Sequence, residues 1–285
     1  MIANRTGAVE IDGFHLNYSI EGEGQPILVV GSMLYYSRTF AAELKEKFRF
    51  IFIDHRGFVP PPRPEPGLEA YGLDRILDDI ETIRRKLQLQ DFIILGHSGH
   101  AFMALEYAKK YPGNVKGVVL VAVSPSYSTE NHALADLFFD TLANADRKKK
   151  LSESMASLPA MIEADPDHRF VSYCLAAGPK SWMDADFDAS PLWEGIYTNM
   201  PMIDFMWGIV FRDIDITENL DRFDKPVLLI LGKYDFLTGP PELWEGPSKK
   251  FKELTIEIFE NSAHCPQYEE SKLFEQVLLE WSSQV

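Results

Sequence analysis

Five short, unbroken apolar runs do most to restrict what this chain can become. They are Pro26-Ile27-Leu28-Val29-Val30, Phe50-Ile51-Phe52-Ile53, Phe92-Ile93-Ile94-Leu95, Val118-Val119-Leu120-Val121-Ala122-Val123 and Val227-Leu228-Leu229-Ile230-Leu231. A strand with one wet face alternates apolar and polar residues, so continuous runs of this length suit strands covered on both faces, as in a parallel sheet between helices. Amphipathic helical patterns lie between them. Leu73 to Leu87 carries Ile76, Leu77, Ile80, Ile83 and Leu87 at helical spacing, and Ala101 to Tyr111 stops at Pro112-Gly113. Strand and helix alternating in this way predict βαβ units, hence an α/β fold with a doubly wound, mostly parallel sheet. Ahead of them, alternation in Ala8 to Ile11 and Phe14 to Ile20 around Asp12-Gly13 predicts a β-hairpin. After them come a last strand, Leu254 to Phe259, and a helix from about Ser271 to Trp281.

The alternation stops between roughly Pro125 and Phe223, where the pattern is helical and rich in large apolar residues such as Phe138, Trp182, Trp193, Phe205, Met206 and Trp207. This stretch reads as a helical cap inserted over the sheet. It divides the chain into a core of residues 1–124 and 224–285 and an insertion of residues 125–223. Hydrophobic residues are 46% of the 285, enough for one sizeable core. The proline-rich segment Val59 to Pro66 lacks the backbone donors a helix or central strand needs, so it is expected to be a loop.

The formal charge of -15 weighs against nucleic acid or an anionic membrane as partner, because both demand basic patches. The charge does not identify a ligand; a small-molecule substrate is the expected partner. The one basic run, Arg147-Lys148-Lys149-Lys150, reads as a solvated helix face. Cys174 and Cys265 are too few for a disulfide scaffold or a zinc cluster and read as small apolar residues in a reducing compartment. Met1 to Thr6 lacks the basic-then-apolar pattern of a signal peptide, and no run approaches about 18 apolar residues, so a cytoplasmic location is expected.

The chemistry is concentrated at strand ends. Gly96-His97-Ser98-Gly99-His100-Ala101 lies where a buried strand gives way to a helix. A serine hydroxyl becomes a useful nucleophile when a sharp turn lifts it clear of the sheet, with a base nearby and backbone donors aimed at the developing oxyanion. Further along, the run Val227 to Leu231 leads into Gly232-Lys233-Tyr234-Asp235, and the last strand leads into Asn261-Ser262-Ala263-His264. Both turns fall at C-terminal strand ends, where doubly wound folds place their ligands. Asp224, a rival acid, precedes its strand and so falls at the wrong end of the sheet.

These residues resemble the α/β-hydrolase superfamily over nearly the whole chain, and in particular its capped esterase, carbon-carbon hydrolase and proline-iminopeptidase-like branch. Gly96-His97-Ser98 followed by Ala104-Leu105-Glu106-Tyr107-Ala108 is similar to the branch's nucleophile helix, and Asp54-His55-Arg56-Gly57 to its structural Asp-X-Arg-Gly turn. The resemblance implies a catalytic triad of Ser98, His264 and Asp235 and an acyl-enzyme mechanism that requires no metal or organic cofactor. It also implies an oxyanion hole from the backbone amides of Ser32 and Gly99, with Met33 as the alternative if the loop is shifted. Met33, His97 and Trp207 are expected at the substrate pocket. Three departures stand out: His100 replaces the elbow's second glycine, the oxyanion loop Val29-Val30-Gly31-Ser32-Met33 lacks the usual histidine, and the Asp-X-Arg-Gly turn continues as Phe58-Val59-Pro60. Hydrolysis of an ester or similar carbonyl is the leading expectation. Aminopeptidase action would need a carboxylate such as Glu194, Asp204 or Asp184 at the pocket, and a receptor-like member of the fold would bind without rapid turnover.

Overall fold

A tight hairpin starts the fold because Asp12 and Gly13 both take left-handed backbone angles, φ 51° and 81°. Two such residues give the turn whose twist matches that of the paired strands. In the computed structural model, which describes residues 5–285, the hairpin strands are β1 (Arg5–Ile11) and β2 (Phe14–Glu21). The remaining strands are β3 (Gln25–Gly31), β4 (Phe48–Asp54), β5 (Phe92–His97), β6 (Val115–Val121), β7 (Val227–Gly232) and β8 (Leu254–Phe259). The sheet order is β1-β2-β4-β3-β5-β6-β7-β8. β2 runs antiparallel to β1 and β4, and every later pairing is parallel. The expected doubly wound, mostly parallel sheet is therefore the observed one.

Each central strand buries both faces. Leu28, Val30, Ile51, Ile53, Ile94, Leu120 and Leu229 enter one core, while Ile27, Val29, Phe50, Phe52, Ile93, Val119 and Leu228 enter the other. The period-two geometry of a strand sends neighbours to opposite sides, which is why these runs are apolar without a break. Helices α1 (Met33–Thr39), α2 (Leu73–Lys86), α3 (Gly99–Lys110) and α4 (Ser271–Ser282) cover the sheet. Ile76, Ile80 and Ile83 of α2 and Phe102 and Leu105 of α3 pack on the first face, and Tyr36 of α1 and Phe274 and Leu278 of α4 on the second.

Between β6 and β7 the regular elements are helices joined by turns and loops, with one isolated bridge, Ser126 to Asp215. Its longest helices are Thr129–Leu142 and Ala145–Ala164, and a π-helical turn spans Met206–Val210. The basic run lies on the second of these helices and is only partly the solvated face expected. Arg147 turns inward and donates to the carbonyls of Pro179, Trp182 and Met183. No helix among the described residues is long and apolar enough to cross a membrane. The first four residues of the N-terminal reading lie outside the described residues.

Candidate active site

Ser98 follows β5 directly and sits at φ 57° and ψ -134°, a conformation that side-chain-bearing residues avoid. Holding it costs roughly 1–3 kcal/mol, and such strain persists only where the surroundings enforce it. Here the Ser98 amide donates to the Val121 carbonyl at 2.9 Å, and Ala101 turns back onto the Ser98 carbonyl at 2.9 Å. Gly96 permits the close approach of strand and helix. A Cβ there would stand 2.2 Å from the His100 carbonyl oxygen, so no larger residue fits.

Asp235 and His264 come from the ends of β7 and β8. Register brings these ends together, with Gly232 paired to Phe259, and the Tyr234 amide donates to the Ser262 carbonyl at 3.0 Å. Asp235 Oδ2 lies 2.8 Å from His264 Nδ1 and accepts the Thr238 hydroxyl at 2.6 Å. Its Oδ1 accepts the amides of Leu237 and Thr238. Burial pushes the Asp235 carboxyl up, but the His264 charge and the bonds from His264 and Thr238 outweigh it and hold the acid below its ordinary value. An ionised Asp235 fixes the His264 proton on Nδ1 and leaves Nε2 as the acceptor. Thr238 escaped the sequence reading, although a hydroxyl three residues after an aspartate at a turn is a legible local pattern. The His264 loop has its own strap: Glu269 accepts the amides of Ala263 and Cys265 on either side of the histidine, and that of Met183 across from it.

Ser98, His264, Ser32 and Gly99 line one cavity of about 220 Å³. Gly99 opens α3, whose first amides have no partner within the helix. Ser32 caps α1, its hydroxyl accepting the Tyr35 amide at 3.3 Å. The Met33 amide is already committed to Asp54 Oδ1 at 2.6 Å, which removes it as an oxyanion donor. Nor is Met33 part of the cavity wall, contrary to expectation; its side chain packs into the second core because α1 turns it away from the opening. His97 and Trp207 do line the cavity. Met206 and Phe205, Trp207's neighbours, pack in the first core instead.

His97 Nε2 donates to the His264 carbonyl at 2.6 Å. His100, the residue that replaces a glycine, is buried and hydrogen-bonded to Tyr36 and His55. Aromatic rings make much of the wall: Trp207 packs against Phe170, and Trp193 against Phe170 and Tyr35. Among the described residues that line the cavity there is no Asp, Glu, Lys or Arg. Glu194, Asp204 and Asp184 are all elsewhere; Asp204 pairs with Arg169 at the surface. Cys174 and Cys265 also line the cavity, where burial pushes the Cys174 thiol up to about 12 and that of Cys265 well above its ordinary value. Both therefore stay protonated and unreactive at neutral pH.

Asp54 gives the loop that carries Ser32 and Met33 a pH signature. Burial raises its carboxyl from an ordinary 3.8 to about 6, against the opposing bonds from the Met33 amide and Asn17. Between those values the folded protein binds the proton more tightly than the unfolded chain, so the Asp54 contribution to stability falls as pH rises through the window. At about 1.4 kcal/mol per unit, the loss is on the order of 2–3 kcal/mol by pH 7. Asp54→Asn should remove that slope in urea unfolding measured from pH 4 to 7. An unchanged slope would assign the pH dependence to other groups.

The alpha/beta hydrolase fold model matches residues 29–271. The AB hydrolase superfamily protein YclE of Bacillus subtilis is 44% identical over 98% of this chain and 99% of its own length. A proline iminopeptidase from Pestalotiopsis fici is 24% identical over 93% of this chain and 95% of its own. Among solved structures, a proline iminopeptidase from Mycobacterium smegmatis superposes with a TM-score of 0.73 at 17% identity, covering 99% of this chain and 98% of its own. A family match over most of the length and a near-full-length relative at 44% identity agree, and the chain belongs to the α/β-hydrolase family.

Proposed function

We propose that this protein is a serine hydrolase that cleaves an ester or related carbonyl bond of a small, uncharged, partly aromatic substrate. The observation that carries the reading is the convergence of a strained serine with an aspartate-fixed histidine on one apolar cavity. His264 takes the Ser98 proton through Nε2, and Ser98 Oγ attacks the substrate carbonyl. The amides of Ser32 and Gly99 hold the oxyanion. His264 then passes its proton to the leaving group, and water releases the acyl group by the same steps in reverse. Residues 125–223 serve as the cap that supplies most of the aromatic wall.

The lining supports an uncharged substrate. A buried charge without a partner costs several kcal/mol, and this cavity offers none. The names of some relatives favour a second reading, release of N-terminal proline, but that reaction presents an ammonium group for which no lining carboxylate exists among the described residues. A fluorophosphonate should label Ser98, as located by mass spectrometry. Neutral aromatic acyl esters should then exceed same-sized acyl esters bearing a carboxylate or ammonium by at least about 100-fold in kcat/KM. Faster cleavage of prolyl amides would replace the esterase reading with the peptidase one. Tight binding without turnover would point to a receptor.

A further inference from the structure

Along the cavity wall, buried side chains form one continuous hydrogen-bonded line from the Asp54–Gly57 turn to the His264 loop. The Gly57 amide donates to His55 Nδ1 at 2.9 Å. His55 Nε2 lies 3.0 Å from His100 Nε2, His100 Nδ1 lies 2.8 Å from the Tyr36 hydroxyl, and that hydroxyl lies 3.2 Å from His97 Nδ1. His97 Nε2 ends the line on the His264 carbonyl at 2.6 Å. Space for the two inner rings comes from Gly31, where a Cβ would meet the Tyr36 ring at 2.1 Å and His100 Cε1 at 3.3 Å.

The two ends determine which nitrogen of each ring carries hydrogen. A backbone amide can only donate, so His55 Nδ1 is bare and Nε2 carries hydrogen. His100 must then accept at Nε2 and donate from Nδ1 to the Tyr36 oxygen. From the other end, a carbonyl can only accept, so His97 carries hydrogen on Nε2 and leaves Nδ1 bare. The Tyr36 hydroxyl, accepting from His100, has one hydrogen, and both acceptors in its reach belong to His97: Nδ1 at 3.2 Å and the backbone carbonyl at 3.3 Å. The two derivations meet without conflict when all three histidines are neutral. Burial favours that state, lowering His55 and His97 to about 3 and His100 well below its ordinary value.

We propose that Tyr36, His55, His97 and His100 are positioning residues that hold the oxyanion loop, the nucleophile turn and the His264 loop in mutual register through this one-directional line. Tyr36 is one turn along α1 from Ser32, whose carbonyl accepts the Tyr36 amide at 3.1 Å. His97 and His100 flank Ser98 and Gly99, and the far end grips the backbone of His264 itself. The histidine at position 100 is thus the link that a glycine there would leave out. Its role rests on the serine-hydrolase reading above.

Imidazole 15N spectra at pH 7 should show His55 and His97 as neutral rings protonated at Nε2 and His100 as a neutral ring protonated at Nδ1. Tyr36→Phe and His100→Ala should each slow the maximal rate of fluorophosphonate reaction at Ser98 by about ten- to a hundred-fold, the scale of a small misplacement of reacting groups. The reagent concentration for half-maximal rate should not move, which a general loss of folding would not reproduce. His100→Gln, which keeps one acceptor and one donor, should recover most of the rate. A different set of tautomers, or unchanged maximal rates in both Tyr36→Phe and His100→Ala, would overturn the positioning role alone. An unreactive Ser98 in the native protein would overturn the hydrolase reading and the positioning role with it.

Discussion

Ser98→Ala should lower kcat on the best ester by about 10⁵- to 10⁶-fold, and His264→Ala by nearly as much, with KM little changed. Both remove the same event, transfer of the serine proton as the carbonyl is attacked, so combining them should cost scarcely more than either alone. Asp235→Asn should cost about 10⁴-fold. The amide would present hydrogen to His264 Nδ1, which now faces the carboxylate at 2.8 Å, and so favour the tautomer that cannot act as base. The strained backbone supplies an independent check. Ser98→Gly should destroy activity yet raise stability by about 1 kcal/mol, because glycine adopts φ 57° without a steric cost. Steady-state kinetics and urea unfolding of the same preparations measure both effects. Losses that multiply across the double variant would mean that Ser98 and His264 act in separate steps, and the triad assignment would fail.

The sheet was legible because burial on both faces writes itself into sequence as unbroken apolar runs, and each of the five falls within or across one observed strand. Ser98, Asp235 and His264 could be singled out for a related reason: each lies just past the C-terminal end of a strand, and strand ends can be counted. Side-chain directions and long-range pairings left no such trace. The 45-residue separation of His55 and His100 hides their contact, and nothing local announces that Tyr36 joins them. Met33 was misjudged because proximity to the oxyanion loop does not say which way a side chain on the first turn of a helix points. The inserted region was read as helical but not resolved into elements, since two of its helices are only four residues long and the turn bearing Trp207 departs from the 3.6-residue period.

Arg56→Met should destabilise the fold by about 3–5 kcal/mol, the scale for removing one partner of a buried ion pair. Arg56 is fully buried and grips Asp79 through two bonds, at 2.6 and 2.8 Å, while donating to Asp12 and to the Ala70 carbonyl. One side chain therefore ties the opening hairpin and the segment before α2 to α2 itself. Burial already pushes the Asp79 carboxyl up, and the Arg56 bonds oppose that push. Without Arg56 the carboxyl would rise further, so the folded variant would bind a proton that its unfolded chain releases. Its deficit against the native protein should accordingly be larger at pH 8 than at pH 5. Asp79→Leu in the Arg56→Met background removes the stranded charge and should restore much of the stability. If Arg56→Met instead loses under about 1 kcal/mol, the pair behaves like a solvated surface contact. Should the full loss appear, its consequence reaches the active site, because Arg56 directly precedes the Gly57 amide from which the buried hydrogen-bonded line to His264 starts.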